Sequence, residues 1–351
     1  MALRTAVIGH GNIGDWHAYL AHKIPSSHLV AICDTDDSRL DNVDDRLNVE
    51  KYKDMKQMLK REEIDSVHIC TPPQTHLSIA EEVLSLGIPT LIEKPIASSL
   101  DHASKLMDLS EETGTTVSPV HHKLFEPVMQ KARNLVESGV IGEVVGTFML
   151  FGEDRNLDKT PRGEWVFDLP SGELGEGLPH QVYLPLAFAE GLGEIRSVST
   201  QQIREYENPI DFDGVNIEAT DASSEQLVAV KVGANSVEEE ILRVYGTDGR
   251  VEIDFHAMTV VYKGRGRDIN PIRYNIDTIK QQAATAMENK IKSLISPVSL
   301  KLGFGSFNSG HYQQIKQHNE ALLQDREPPV TARDGYNTVR VIEALRDAEQ
   351  K

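Results

Sequence analysis

Three glycines follow the first apolar run of the sequence, at the spacing Gly9-x-Gly11-x-x-Gly14. The first glycine permits a tight turn, the second lets the backbone approach a pyrophosphate, and the third lets the next helix pack closely. The N-terminus of that helix also favours the negative charge of a phosphate. We therefore predict a dinucleotide-binding turn formed by Gly9, His10, Gly11, Asn12, Ile13 and Gly14.

Asp34 ends the second apolar run, 20 residues after Gly14. A carboxylate at that position can accept hydrogen bonds from the ribose diol of NAD(H), and it repels the additional phosphate of NADP(H). Thr35–Asp37 add negative charge rather than an arginine, although Arg39 is near enough in sequence to keep the second cofactor open. The sequence thus predicts NAD(H), with NADP(H) as the less favoured alternative.

Short apolar runs alternate with helical patterns from Ala2 to about His122. Several runs are apolar at consecutive positions, which is typical of strands covered on both faces, and repeated βα units predict a doubly wound parallel sheet. Because 351 residues exceed what one core usually supports, we predict an α/β protein with a Rossmann domain over residues 1–122 and a second domain over residues 123–351. The predicted strands of the first domain are Thr5–Gly9, Leu29–Asp34, Ser66–Cys70, Thr90–Ile92 and Thr116–Val120.

Two polar stretches follow predicted strands of the first domain, at the carboxyl ends where parallel sheets bind their ligands. The first stretch contains Thr71, Pro72 and His76, and the second contains Glu93 and Lys94. We assign all five residues to the predicted cofactor site. Two alternatives stay open. The first stretch could simply cap a helix through Thr75, and Lys94 could be a solvated surface residue.

The Glu93-Lys94-Pro95 motif, together with the glycine turn and Thr71-Pro72-Pro73, resembles the glucose–fructose oxidoreductase / inositol dehydrogenase / MocA family. The resemblance continues past residue 122 and implies a second α/β domain with a large open, mostly antiparallel sheet. It also implies that Lys94 lies beside the nicotinamide and the substrate, with a peptide bond to proline that is often cis. The hairpin signal at Gly246–Gly249, between two strand-like runs, agrees with such a sheet.

Pro170–His180 is similar to the glycine-rich segment of that family, in which a carboxylate precedes a histidine by four residues. The matching residues here are Glu176, where many members have aspartate, and His180. Histidine can accept the hydroxyl proton when an alcohol is oxidised and return it in the reverse reaction. We hypothesise that His180 is the acid/base, that Lys94 stabilises negative charge on the substrate oxygen, and that Glu176 positions the substrate. A hydrogen-bonded helix histidine and a solvated carboxylate remain alternatives.

Other residues are weaker candidates. His121 and His122 follow the last predicted strand of the first domain, and we include His122 in the cofactor site. Adjacent side chains on an extended backbone diverge and no Cys/His spacing completes a zinc site, so we predict no metal. Arg162 and Trp165 could line the cleft, although the tryptophan could equally be packing, and His311 could either reach the cleft or cap a helix.

Composition limits the partners and the location of the protein. The formal charge of -18 argues against nucleic acid and anionic membranes, and no apolar stretch has the length of a membrane span. Because Met1 leads directly into a strand-like run, we expect no signal peptide and a cytoplasmic location, with Cys33 and Cys70 as free buried thiols. Residues 264–308 fit the family least, and their apolar positions at helical spacing predict a packed helix face.

These observations predict an NAD(H)-dependent oxidoreductase that transfers a hydride between nicotinamide and a secondary hydroxyl or carbonyl of a sugar, cyclitol or sugar derivative. Open sheets in the family commonly pair between subunits, so the resemblance also implies a homodimer or homotetramer. Two alternatives remain: a sugar enzyme in which NAD oxidises the substrate only transiently, and a catalytically silent cofactor-binding protein with a regulatory role.

Overall fold

The computed structural model describes residues 2–160, 162–169, 171–265, 280, 283–284, 287 and 309–349. The chain forms two compact units, of which the first comprises residues 1–122 and 309–340 and the second comprises residues 123–308 and 341–351. Most of the helix predicted within residues 264–308 lies outside the described residues. None of the helices that can be described has the length and hydropathy needed to span a membrane.

Strands and helices alternate along the first unit, whereas long strands predominate in the second. The strands, in chain order, are β1 (Leu3–Ile8), β2 (Ser27–Cys33), β3 (Glu50–Tyr52), β4 (Ser66–Ile69), β5 (Thr90–Ile92), β6 (Val117–Pro119), β7 (Val144–Asp154), β8 (Ile195–Gln201), β9 (Gly214–Thr220), β10 (Leu227–Gly233), β11 (Asn235–Gly246), β12 (Gly249–Asp254) and β13 (Thr259–Gly264). The α-helices are α1 (Asn12–Lys23), α2 (Asp37–Asp41), α3 (Met55–Arg61), α4 (His76–Leu84), α5 (Leu100–Thr113), α6 (Pro127–Glu137), α7 (Glu173–Leu186), α8 (Gly310–Leu323) and α9 (Ala332–Glu349).

The first unit contains a parallel sheet with the strand order β3-β2-β1-β4-β5-β6. Every residue of β4 and β5 is buried, which explains why these runs are apolar at consecutive positions rather than alternately. The chain order changes direction between β1 and β4, so the carboxyl ends of these strands border the crevice in which such sheets bind ligands. This arrangement confirms the predicted Rossmann-like fold.

The second unit contains a seven-stranded sheet with the order β13-β12-β11-β7-β10-β9-β8. Its pairings are antiparallel except for β10, which lies parallel to β7. Alternate residues of β10 (Val228, Val230 and Val232) are buried, as expected for a sheet with one covered face. Helix α7 packs against β7 and β10, and α6 packs against β12 and β13. The predicted mostly antiparallel sheet is therefore confirmed.

Three strands have no counterpart in the sequence predictions. Two of the three residues of β3 are exposed and charged, Glu50 and Lys51, so this edge strand lacks an apolar run. Strand β8 has no fully buried residue. Pairing with neighbouring strands, rather than an apolar pattern of their own, specifies β3 and β8. Strand β9 does alternate buried apolar residues with polar ones, a usable strand signal that the sequence predictions missed.

Candidate active site

The glycine turn connects β1 to α1. Gly9 has φ +89°, a conformation that favours glycine. A Cβ atom at Gly14 would lie 1.9 Å from the carbonyl oxygen of Gly9, so only glycine permits the helix to begin this close to the strand. Helix α1 starts after Gly11 without a side-chain cap. The first amides of α1 are therefore available to an anionic group.

Asp34 lies next to this turn and is held by two backbone amides. The His10 amide donates to its Oδ2 atom at 2.6 Å, and the Asp36 amide donates to its Oδ1 atom at 2.9 Å. Arg39 approaches from the side, with Nη1 3.5 Å from Asp34 Oδ2 and Nε 3.8 Å from Asp36 Oδ2. Arg39, the cation that could bind the 2′-phosphate of NADP(H), is thus already paired with two carboxylates.

The turn after β4 is connected to the turn after β5 through His76. This side chain is fully buried, with Nε2 2.8 Å from the Thr71 carbonyl oxygen and Nδ1 3.2 Å from the carbonyl oxygens of Pro95 and Ile96. Burial lowers the pKa of His76, against the effect of these carbonyls. In this structure His76 shapes the two turns. It presents no exposed surface of its own to a ligand.

The interpretation of Thr75 as a side-chain cap is wrong. No side-chain cap bond forms at the start of α4, and the Thr75 hydroxyl instead lies 2.8 Å from both the Thr71 hydroxyl and the Pro72 carbonyl oxygen. The hydroxyl therefore folds back on the preceding turn.

Glu93 is almost completely buried at the end of β5, and the peptide bond between Lys94 and Pro95 is cis. The Glu93 Oε1 atom lies 3.1 Å from His17 Nε2, and its Oε2 atom accepts from the Lys94 amide at 3.1 Å. Burial alone would raise the pKa of Glu93, but the hydrogen bond from His17 and the nearby positive groups outweigh it and lower that pKa. An ionised carboxylate thus fixes the backbone that carries Lys94.

Further histidines surround this carboxylate in the first unit. His311, in the first turn of α8, has Nε2 3.8 Å from Glu93 Oε1 and stacks on His122 with ring centroids 3.7 Å apart. Burial lowers the pKa of His311 to about 4 and that of His121 to about 3. Ser309 caps α8 by accepting from the Tyr312 amide, so of the two roles weighed for His311 the capping role is wrong.

Helix α7 of the second unit carries Glu176 and His180 one turn apart. His180 Nδ1 lies 2.6 Å from the hydroxyl of Tyr183, and that hydroxyl accepts from the Lys123 amide at 3.4 Å. The hydroxyl oxygen has a second lone pair, which can accept from Nδ1–H of the imidazole. In that tautomer the Nε2 atom of a neutral His180 keeps a lone pair that can take a proton. The sequence analysis did not identify Tyr183, although its i,i+3 spacing from His180 is a usable signal.

Two arginines bind the carboxylates at the start of α7. Arg162 contacts Glu173 and also Glu176, whose Oε2 atom lies 3.1 Å from Nη2. Arg155 donates to Glu173 at 2.9 Å. Trp165, half-buried, donates from Nε1 to the Arg162 carbonyl oxygen at 3.1 Å. The positions of Glu173 and Glu176 therefore depend on charged partners from the preceding loop.

The candidate residues are divided between the two units. Lys94, His122 and the predicted dinucleotide site belong to the first unit, whereas Glu176 and His180 belong to the second. Cys33 and Cys70 are free and buried, as predicted, and burial raises the pKa of the Cys33 thiol to about 12.

Comparison with known proteins supports this interpretation of the first unit. Residues 3–121 match the family GFO_IDH_MocA, described as an oxidoreductase family with an NAD-binding Rossmann fold. The match covers this region of the first unit and includes the glycine turn, Thr71-Pro72-Pro73 and Glu93-Lys94-Pro95. The resemblance based on the three motifs is thereby confirmed.

Individual relatives match either a limited part of the chain or most of it at lower sequence identity. Inositol 2-dehydrogenase from Rubrobacter xylanophilus is 31% identical over 168 residues, which are 47% of this chain and 48% of the relative, so the match spans about half of that protein. Oxidoreductase P35 from Formosa agariphila is 23% identical over 75% of this chain and 83% of its own. The WlbA dehydrogenase from Bordetella pertussis, solved with NADH and UDP-GlcNAcA, has a TM-score of 0.76 at 18% identity and covers 99% of this chain and 96% of its own. The last comparison confirms the fold.

Proposed function

We propose that the protein is an NAD(H)-dependent oxidoreductase that transfers a hydride between nicotinamide and a secondary hydroxyl or carbonyl of a sugar, cyclitol or sugar derivative. The observation that carries this proposal is the glycine turn with its neighbouring carboxylate. The turn leaves the first amides of α1 uncapped, and two backbone amides orient Asp34. These groups fit a pyrophosphate and a ribose diol respectively.

The preference for NAD(H) over NADP(H) rests on the charges around Asp34. Arg39 is a cation at this site, and it is already paired with Asp34 and Asp36. A 2′-phosphate would have to separate that arginine from both carboxylates and then lie beside them. NAD(H) requires neither change.

The chemistry we propose uses three residues of this chain. NAD+, when bound, supplies the acceptor for a hydride. As the substrate is oxidised, its O–H bond breaks and His180 takes the proton, while the electron pair of the C–H bond leaves with the hydride. Lys94 stabilises negative charge on the substrate oxygen. Glu176 hydrogen-bonds another substrate hydroxyl, and Tyr183 positions the imidazole through Nδ1.

The substrate class is inferred from relatives and from the polar side chains of α7. The relatives include inositol 2-dehydrogenase and a UDP-N-acetylglucosamine 3-dehydrogenase from Acidithiobacillus ferrooxidans. A carboxylate held by an arginine, as Glu176 is by Arg162, presents acceptors that suit the hydroxyls of a polyol. A sugar or cyclitol is therefore the substrate that we propose.

The proposal is tested with the purified protein, NAD+ and a panel of polyols, aldoses and nucleotide sugars, followed by NADH absorbance. We expect one class of substrate to yield NADH, and His180→Ala to lower kcat by at least about a hundredfold. NADH binding, measured by fluorescence, should survive in that variant because the cofactor site lies in the first unit. Substrate conversion without net NADH would point to transient oxidation. Turnover by the variant at the original rate would remove the acid/base role.

We further propose a homodimer or homotetramer in the cytoplasm. The second unit exposes large apolar side chains on its sheet strands, including Val145 and Leu227, which are 46% and 47% exposed. A partner that covers them would remove apolar surface from water. Light scattering across a range of concentrations tests this assembly, and a monomer at every concentration would contradict it.

A further inference from the structure

Three side chains from distant parts of the chain meet inside the first unit. His17 lies in α1, Glu93 follows β5, and His311 lies in the first turn of α8. The Nε2 atoms of His17 and His311 lie 3.1 and 3.8 Å from the same atom, Glu93 Oε1. One ligand atom of each residue falls within 4.8 Å of the other two.

Two imidazole nitrogens and one carboxylate oxygen are a ligand set that Zn²⁺ binds in proteins, with a fourth position left to water. With metal–ligand bonds of about 2.0–2.2 Å, neighbouring ligand atoms of a tetrahedral site lie about 3.3 Å apart. The separations of 3.1 and 3.8 Å fall on either side of that value. Since all three ligand atoms lie within 4.8 Å of one another, an inward movement of His311 would bring the set toward metal-binding distance.

Hydrogen bonding alone does not account for all three members. The contact of His17 with Glu93, at 3.1 Å, is an ordinary hydrogen bond. The 3.8 Å separation of His311 from Glu93 is too long for one. A cation between the three ligand atoms would explain why the third side chain is directed at the same oxygen.

The surroundings already orient these ligands on their far sides. His17 Nδ1 lies 3.2 Å from His68 Nδ1, and Glu93 Oε2 accepts from the Lys94 amide. His311 is held by stacking on His122. Second partners of this kind fix ligand orientation and strengthen metal binding. The set also has an entry side, since the His311 side chain is partly exposed while that of His17 is buried.

We propose that His17, Glu93 and His311 form a binding site for one divalent transition-metal ion of the Zn²⁺ type. The site lies wholly within the first unit, so it does not depend on the proposed function or on His180. Lys94 adjoins the site, and its amide donates to the same carboxylate. Occupation of the site would therefore fix the backbone of that lysine.

The experiment uses the full chain with any affinity tag removed and titrates it with ZnCl2 and CoCl2. We expect one Zn²⁺ per chain by calorimetry and by elemental analysis after dialysis. Co²⁺ should give the intense visible bands of a tetrahedral or five-coordinate site. His311→Ala should weaken Zn²⁺ binding by at least about a hundredfold, because loss of an outer partner alone costs 10–100-fold.

The matched control is His28→Ala, since His28 is an exposed histidine of β2 in the same unit. It should keep the wild-type stoichiometry, affinity and Co²⁺ spectrum. Circular dichroism and NADH binding show whether each variant is folded. Absence of stoichiometric binding by the wild-type protein would overturn the proposal. So would equal binding by the two folded variants, which would indicate adventitious surface binding.

Discussion

The two units fix their candidate residues in different ways. In the first unit, backbone geometry holds the site: glycines shape the turn at β1, and backbone amides hold Asp34 and one oxygen of Glu93. In the second unit, side chains hold one another, because arginines bind the carboxylates of α7 and a tyrosine hydroxyl holds His180. The first arrangement thus rests mainly on backbone groups, whereas the second rests on pairs of side chains that are 3 to 18 residues apart along the chain.

The difference extends to how each buried carboxylate is compensated. Glu173 is 1% exposed and is bound by Arg155 and Arg162, whose charge persists at every accessible pH. Glu93 is 6% exposed and is bound by an imidazole and an amide. A carboxylate left without such partners would cost several kcal/mol. Hydrogen bonds thus compensate the buried charge of Glu93, and ion pairs compensate that of Glu173.

The largest effect should come from breaking the backbone arrangement of the first unit. In Gly14→Ala the new Cβ would lie 1.9 Å from the Gly9 carbonyl oxygen, so strand and helix must separate. We expect the free energy of unfolding to fall by about 3 kcal/mol and NADH binding to be lost. Urea unfolding and NADH fluorescence measure both effects.

The matched control for that variant is Gly177→Ala in α7. A Cβ at Gly177 meets no atom within 4 Å, and alanine is the better helix former by about 1 kcal/mol. We expect this variant to be at least as stable as the wild type. If Gly14→Ala were equally stable and bound NADH normally, the close approach at the turn would not be needed.

The second unit contains a half-buried acid, Glu126, immediately before helix α6. Burial, together with the nearby carboxylate of Glu240, raises the pKa of Glu126 to about 7, although Lys123 acts to lower it. Because the pKa is higher in the folded state than in the unfolded state, this group's contribution to stability is complete below about pH 4.3. It is lost as the pH rises through about 7.

Glu126→Gln should remove that pH dependence. Between pH 5 and pH 8 the wild type should lose about 1–3 kcal/mol of unfolding free energy relative to the variant. Urea unfolding at both pH values gives the difference. Glu137→Gln, at an exposed carboxylate of the same helix, is the control and should follow the wild type. Parallel curves for Glu126→Gln and the wild type would show that Glu126 titrates normally.

A smaller effect should follow from loosening His180. Tyr183→Phe removes the hydroxyl that lies 2.6 Å from Nδ1. Loss of one hydrogen bond of about 1–1.5 kcal/mol should lower kcat about tenfold, while KM for NAD+ stays constant. Tyr206→Phe is the control, since its hydroxyl donates to Asp213 in the same unit at 3.0 Å. An unchanged kcat in Tyr183→Phe would mean that Tyr183 does not position the imidazole.

The separation of contacting residues along the chain explains what the sequence could reveal. The glycine turn and the strand ends of the first unit were predictable, because turn chemistry and apolar runs act over a few residues. The meeting of His17 with Glu93 and His311 was not predictable, since packing joins segments far apart in the chain. The sequence indicates Arg162 only as a possible cleft residue, and no motif around it predicts that it binds Glu173 and Glu176. Edge strands such as β3 were missed because their residues are exposed.

The smallest expected effect tests the departure of this chain from the aspartate of many family members. Glu176→Asp draws the carboxylate back by about 1.5 Å from Arg162, which now lies 3.1 Å from Oε2. We expect kcat/KM to fall about three- to tenfold as substrate positioning weakens. Stability should change by about 1 kcal/mol or less, because the arginine is partly exposed. Arg162→Lys, which keeps the charge but loses the planar fork, should give a similar loss. If Glu176→Asp instead raised kcat/KM while Arg162→Lys lowered it, the arginine would act on the substrate through Glu173 rather than through Glu176.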